Sequence, residues 1–233
     1  AGGGAMLPLE ANAVASVDGA LVLWPAGSIL IESGARLDTR SLSVNGSSIV
    51  IADGSALVVD DSGQVVDEGL AIGVGPGVNT VLIGAGASIE APRGTVGSFP
   101  GGTTDVTLSD SALALSGDLD LGWAATNGAV NQGGATLSIE AGSNLSAGGP
   151  LPIGERSRLS IDGSSVDVGG LLVDGRGVLD VVLAPAPNVI ADGGAVLAGG
   201  LFIRQADPEF LPGLETVYAP VSAEGTEGGF AVI

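Results

Sequence analysis

The chain has 233 residues, a net charge of −19, and neither cysteine nor histidine. The charge repels phosphate backbones and anionic lipid, which argues against nucleic-acid binding, and the two missing residue types exclude disulfides, thiol catalysis and histidine-based triads. With 41 glycines, 45% hydrophobic residues and only 3% aromatic residues, the chain is expected to fold around small and branched aliphatic side chains.

The first 27 residues precede the first copy of a repeating pattern. We interpret residues 1–27 as an N-terminal cap or a first coil. The opening stretch, "AGGGAM", has neither the basic region nor the apolar region of a secretion signal. We therefore expect any such signal to have been removed already.

A short motif, Ile-x-x-Gly-small-x-aliphatic, recurs through the next segment, residues 28–206. Successive copies begin between 20 residues apart (Ile31 to Ile51) and 32 residues apart (Ile51 to Ile83), and periods of this length indicate a solenoid. The clear copies span residues 31–37, 51–57, 83–89, 139–145 and 190–196, and two looser copies span 108–113 and 161–166. Glycine permits a positive φ at little cost, which suits a corner between two strands. The predicted corner glycines are Gly34, Gly54, Gly86, Gly142 and Gly193.

Where successive copies of the motif are more than about 20 residues apart, we expect the same coil with an inserted loop. We predict insertions at residues 60–77, 93–104 and 122–134. The uncharged stretch 69–89 is long enough to cross a bilayer, but it contains several glycines, a proline and a copy of the motif. We interpret it as strand and turn, and we expect no membrane insertion by this chain.

The pattern favours an all-β parallel β-helix, because one strand-turn-strand unit can bury its apolar side only against a copy of itself. The alternative is a β-sandwich, which also uses short strands but does not need one corner signature at nearly every turn. The last segment, residues 207–233, breaks the repeat and contains Phe210, Tyr218 and Phe230. We predict that it is a C-terminal cap or an assembly segment, because open strand edges invite aggregation.

Residues 118–183, with "DLDLGWAATNGAVNQGGATLSIEAGSNLSAGGPLPIG" followed by "RLSIDGSSVDVGGLLVDGRGVLDVVL", resemble the repeats of bacterial autotransporter passenger domains and of PEP-CTERM-type secreted surface proteins. Residues 189–233 are similar to the closing unit of such proteins. The resemblance implies a right-handed parallel β-helix, secreted or held at the bacterial cell surface. Because no translocator barrel or sorting tail is recognised in the sequence, we expect a fragment or a processed product of a longer protein.

Acidic side chains are the candidate metal ligands. Asp60, Asp61, Asp67 and Glu68 fall in a predicted loop, where carboxylates could bind Ca²⁺. They match no calcium-loop pattern, so a solvated loop is the favoured interpretation. No other cofactor is expected. The remaining aspartates are interpreted as parts of polar outer faces: Asp118, Asp120, Asp162, Asp167, Asp174 and Asp180. Arg156 and Arg158 are interpreted as ion-pair partners.

Two functions follow from these patterns. The first is a non-enzymatic extracellular β-solenoid, serving as a surface stalk, adhesin or matrix component, which could also assemble into fibres. Its partners would be a host or bacterial surface, a glycan or further copies of itself, and Phe99 and Trp123 are the loop residues expected to make contacts. The second is a Ca²⁺-dependent, polysaccharide lyase-like β-helix enzyme in which an arginine accepts the proton.

Overall fold

A computed structural model describes residues 4–60, 69–97, 102–122, 134–140, 142–182, 188–205 and 219–232. Within these residues the protein is all-β, with twenty-two strands and no helix. The strands are β1 (Met6–Leu9), β2 (Val14–Leu23), β3 (Ser28–Ile31), β4 (Arg36–Val44), β5 (Ser48–Ile51), β6 (Ala56–Val59), β7 (Leu70–Ile72), β8 (Val78–Ile83), β9 (Ser88–Ala91), β10 (Gly94–Val96), β11 (Thr103–Ser109), β12 (Ala112–Leu115), β13 (Leu119–Leu121), β14 (Gly134–Glu140), β15 (Asn144–Ile153), β16 (Arg158–Asp162), β17 (Ser165–Val173), β18 (Val178–Val182), β19 (Val189–Leu197), β20 (Gly200–Arg204), β21 (Val221–Gly228) and β22 (Ala231–Val232).

The strands form two parallel sheets that wind as one solenoid, so the predicted parallel β-helix is confirmed and the β-sandwich is not observed. The first sheet has ten strands in the order β1-β3-β5-β8-β11-β14-β16-β18-β20-β22. The second sheet contains the remaining twelve strands. Each strand pairs with strands of the preceding and following coils, which lie about 4.8 Å away along the stack.

The second sheet bends into two faces. Its long strands change register midway, as β2 does between Val17 and Ala20 and β17 does between Val168 and Leu171. Where a coil is longer, the two faces are built from separate strands, and β6 and β7 both pair with β4. A 20-residue coil such as Ile31 to Ile51 therefore supplies a strand to all three faces, and longer coils insert residues at the corners.

The aliphatic residue that opens the motif lies inside the solenoid. Six of the seven motif-opening residues pair side by side on the inner surface of the first sheet, and each is at most 2% exposed: Ile31, Ile51, Ile83, Leu108, Ile139 and Ile161. The closing aliphatic residues pair in the same way on the second sheet: Leu37, Leu57, Ile89, Leu113, Leu145 and Val166. Each coil thus seals the next from water, which is the physical reason for the repeat.

The copy at residues 190–196 does not belong to these columns. Val181 pairs with Ile161 on the first sheet, and Val189 pairs with Val166 on the second. Ile190 instead points outward and is 42% exposed. Residues 190–196 therefore match the motif in sequence but not in position. The segment "IADGG" crosses the bend between the two faces of the second sheet, whereas the other copies cross the corner between the first sheet and the second.

One corner of the solenoid is built from residues with a positive φ. Gly34, Gly54, Gly86 and Gly142 adopt φ values from 68° to 77°. Asp110 occupies the same row with φ 48° and accepts a conformation that costs an L-residue roughly 1–2 kcal/mol. The residue that follows each positive-φ residue must be small, because its side chain lies in the corner. The hydroxyl of Ser55, for example, donates to the Glu32 carbonyl there at 2.7 Å.

Gly193 is needed for a different reason. It lies inside β19, at the bend between the two faces of the second sheet, and its φ is not positive. A Cβ atom there would come within 2.5 Å of the Gly169 carbonyl oxygen, and a Cβ on Gly169 would meet the Gly148 carbonyl oxygen at the same distance. The close stacking of backbones, rather than backbone conformation, therefore requires glycine along this second corner.

Both predicted terminal units contain ordinary coil strands. In residues 1–27, β1 and β2 pair in parallel with β3 and β4. In residues 207–233, β21 and β22 pair in parallel with β19 and β20. The uncharged stretch 69–89 contains β7, β8 and the beginning of β9, and among the described residues no helix is long and apolar enough to span a membrane.

Candidate ligand-binding surface

Most of the site residues predicted from sequence lie outside the described residues: Asp61, Asp67, Glu68, Phe99 and Trp123. Asp60 is described. It follows β6, and its backbone N–H donates to the Thr39 carbonyl at 2.8 Å. Across the described ranges, no group of three or more acidic side chains is placed to hold a metal ion.

Asp60 borders a groove of about 850 Å³ on the outside of the second sheet. The groove has an apolar floor formed by Val58 and Ala114, and charged side chains flank it. Arg36 donates from Nε to both carboxylate oxygens of Asp38, at 2.9 and 3.2 Å. This hydrogen bond and the charge of Asp38, together with the charge of Glu90, raise the pKa of Arg36. Among the described residues that line the groove, the one cation is therefore already neutralised by carboxylates.

The outer surface of the first sheet changes character along the solenoid. Its central column contains one residue from each of the first nine strands of this sheet, in register: Pro8, Leu30, Val50, Leu82, Thr107, Ser138, Ser160, Asp180 and Phe202. The first four residues are apolar, the next three carry hydroxyl groups, and the last two are a carboxylate and an aromatic ring. The C-terminal part of this column thus combines the groups that typically orient a ligand.

Asp180 is the centre of this part of the surface. Its side chain is only 5% exposed, because two arginines cover it. Nη2 of Arg158 forms an ion pair with Oδ2 at 2.8 Å, and Arg204 donates from Nε to Oδ1 at 2.8 Å. We call Arg158, Ser160, Asp180, Phe202 and Arg204 the Asp180 cluster.

The cluster connects three successive strands, β16, β18 and β20. Arg204 also donates from Nη2 to the Ser160 hydroxyl at 3.0 Å. The guanidinium carbon of Arg158 lies 5.7 Å from the centroid of the Phe202 ring, within the range of a cation–π contact. Both guanidinium groups are therefore held in fixed orientations on an otherwise flat sheet.

A shallow recess of about 370 Å³ lies beside the cluster. Hydroxyl groups of Thr136, Ser138 and Ser160 line it, together with the carboxylates of Glu140 and Asp162. Two arginines face three carboxylates there, so the recess has no excess of positive charge. It offers hydrogen-bond donors and acceptors side by side.

Sequence analysis named two members of this cluster, Arg158 and Asp180, but it did not predict their proximity and did not single out the other three. Arg158 was expected to form an ion pair, and it does, with Asp180 rather than with a neighbour in sequence. Asp180 was expected on a solvated outer face; it faces outward but is buried by its partners. Phe202 and Arg204 carried a usable signal, since they alternate with Leu201 and Ile203 one short coil after Asp180.

The fold and this surface define the class of the molecule: a parallel β-solenoid with a ligand-sized polar recess on one flat outer face. A scan against protein-family models gave no match, and neither a curated protein nor a solved structure matches the chain.

Proposed function

We propose that the protein is a non-enzymatic extracellular β-solenoid that binds at a surface, as a stalk, adhesin or matrix component. The observation that carries this proposal is the position of the recess, on the flat outer face of a coil whose strands are hydrogen-bonded along its length. A rigid scaffold of this kind holds binding groups at fixed spacing without an ordering cost when a ligand arrives. Export to a bacterial cell surface is part of the same proposal.

Adhesion can be measured directly. Beads coated with the whole chain are passed over layers of cellulose, chitin, mannan and pectate, and over bacterial cells, under increasing flow. We expect retention on at least one surface and no appearance of unsaturated products, with or without Ca²⁺. Retention on no surface contradicts the proposal, and unsaturated products would establish the lyase instead.

A control separates specific adhesion from general stickiness. Val50 and Leu82 are apolar and 37% and 44% exposed on the same face as the Asp180 cluster. The double variant Val50→Ser, Leu82→Ser removes this apolar surface and leaves the cluster intact. We expect its retention to equal that of the unmodified chain; a loss would mean that the apolar patch causes the adhesion.

A further inference from the structure

We propose that the Asp180 cluster and its recess bind a neutral saccharide, with the hydroxyl groups of one or two sugar rings in the recess and an apolar ring face against Phe202. The inference rests on the proposed binding function and names its ligand class. Three observations support it: fixed donors, adjacent acceptors and an exposed aromatic ring.

The donors are fixed because Asp180 orients them. An arginine carries five N–H groups, and Arg204 uses two of them to donate to Asp180 and Ser160, while Arg158 is held by its ion pair with Asp180. The arginine side chains are 45% and 37% exposed, so both guanidinium groups reach solvent. They can donate further hydrogen bonds without rearranging the cluster.

The hydrogen-bond acceptors lie on β14 and β16, on the same face as the cluster. Glu140 and Asp162 pair in register at the edge of the recess, and Ser138 pairs with Ser160 in the central column. A sugar hydroxyl both donates and accepts, so it matches a surface on which donors and acceptors alternate. A carboxylated sugar matches it poorly, because three carboxylates surround two arginines on a chain of charge −19.

Phe202 supplies the apolar contact. Its ring is 39% exposed in the same column as Asp180, and the contact with Arg158 holds it in place. The C–H-rich face of a pyranose can pack on such a ring while its hydroxyls reach the neighbouring polar groups. The recess, at about 370 Å³, falls at the lower end of the roughly 300–1,000 Å³ typical of small-molecule sites, which suits one or two sugar rings.

Binding can be tested by saturation-transfer NMR and calorimetry on the whole chain. The neutral probes are cellobiose, mannobiose and N,N′-diacetylchitobiose, and the acidic probe is digalacturonate. We expect at least one neutral probe to bind with a millimolar dissociation constant and more tightly than digalacturonate. Phe202→Ala should weaken that binding by about three- to tenfold, the loss expected for one aromatic contact.

Two further variants make the result decisive. Phe202→Leu keeps the apolar volume and removes the ring, so it tests stacking if the alanine variant is poorly folded. Leu82→Ala truncates a residue of similar exposure in the same column and should leave binding unchanged. Binding of none of the neutral probes, tighter binding of digalacturonate, or unchanged binding by both Phe202 variants would overturn the inference. Adhesion that persists in the Phe202 variants would leave the proposed function standing while this site fails.

Discussion

The inner surface of the first sheet is similar along the solenoid, but its outer surface differs between the N-terminal and C-terminal parts. In its N-terminal part, the outward-facing residues of β3, β5 and β8 are Leu30, Val50 and Leu82, and in its C-terminal part those of β16, β18 and β20 are Ser160, Asp180 and Phe202. The two inner columns that begin with Leu7 and Leu9 are aliphatic throughout. The repeat is therefore maintained where coils must seal one another, and the surface is free to diverge where side chains meet water.

The largest loss of stability is expected at the inner column, which the N-terminal and C-terminal parts share. Ile51→Ala and Ile161→Ala each remove a fully buried side chain from the same inner column. Each should lower the free energy of unfolding by about 2–5 kcal/mol, since the packed strands around a buried side chain relax only partially into the cavity. Urea unfolding monitored by circular dichroism measures both values, and we expect them to agree.

The outward neighbours of these two residues provide matched controls. Val50→Ala should change stability by no more than about 0.5 kcal/mol, as surface substitutions usually do. Ser160→Ala also removes the acceptor of a hydrogen bond from Arg204, so it should cost about 0.5–1.5 kcal/mol, still less than the loss of a buried isoleucine. A large effect at Val50, or a much smaller cost at Ile161 than at Ile51, would contradict a core that is uniform along the coil.

The second prediction contrasts the ion pairs on two outer surfaces. Asp180→Ala removes a buried carboxylate that forms ion pairs with two arginines and accepts a hydrogen bond from Arg204, and it should cost about 1.5–3 kcal/mol. Asp38→Ala removes a partly exposed partner of Arg36 and should cost at most about 1 kcal/mol. Thermal unfolding at low and high salt compares them, and equal costs would mean that Asp180 is no better supported than a surface pair.

The third prediction concerns the corner shared by both parts. Gly142→Ala forces an L-residue to φ 77°, and this conformation should cost about 1–2 kcal/mol. Steric clash should add little, because among the described residues the added Cβ meets the Asp110 carboxylate oxygen at an ordinary 3.5 Å. Gly142→Asn should cost less, since asparagine tolerates this conformation. If both variants were as stable as the unmodified chain, backbone conformation would not explain the motif glycine. Chemical unfolding of the three chains makes the comparison.

The corner motif made the fold predictable, because one physical requirement repeats in the sequence. Ile31, Ile51 and Ile83 mark every turn with the same inner side chain, and the glycine after them marks the corner. The motif gave a wrong corner at residues 190–196, where a different physical requirement produced the same residue pattern. Gly193 is a glycine because Gly169 stacks against it, and a single sequence carries no mark that separates close approach from positive φ.

The Asp180 cluster was harder to predict, since its members are brought together by register rather than by sequence. Ser160, Asp180 and Phe202 align only once the coil length after Ile161 is known, and the false copy at Ile190 concealed it. Taking Val181 as the next inner residue, 20 positions beyond Ile161, restores the register. The burial of Asp180 could not be predicted even then, because it depends on where two arginine side chains lie.

The smallest effect tests whether the contrast extends to the third face of the solenoid. Ala71, Thr95 and Asp120 pair in register on its outer surface, and Leu172 and Val196 pair further along the same face, so Asp120 is an acidic residue on a mostly uncharged face. Burial raises the pKa of Asp120, and the charge of Asp118 raises it further. The folded protein thus holds this proton more tightly than the unfolded chain, and the stability contributed at this position falls as pH rises through the raised pKa.

Asp120→Asn should therefore increase stability at pH 7 by a fraction of a kcal/mol, and the gain should disappear in acid, below the ordinary aspartate pKa of about 3.9. Asp118→Asn keeps Asp120 but removes its like-charged neighbour, so it should give a smaller gain over the same pH range. Urea unfolding from pH 3 to pH 8 measures both curves. A loss of stability in Asp120→Asn at neutral pH would show that this carboxylate makes a favourable contact in the folded protein.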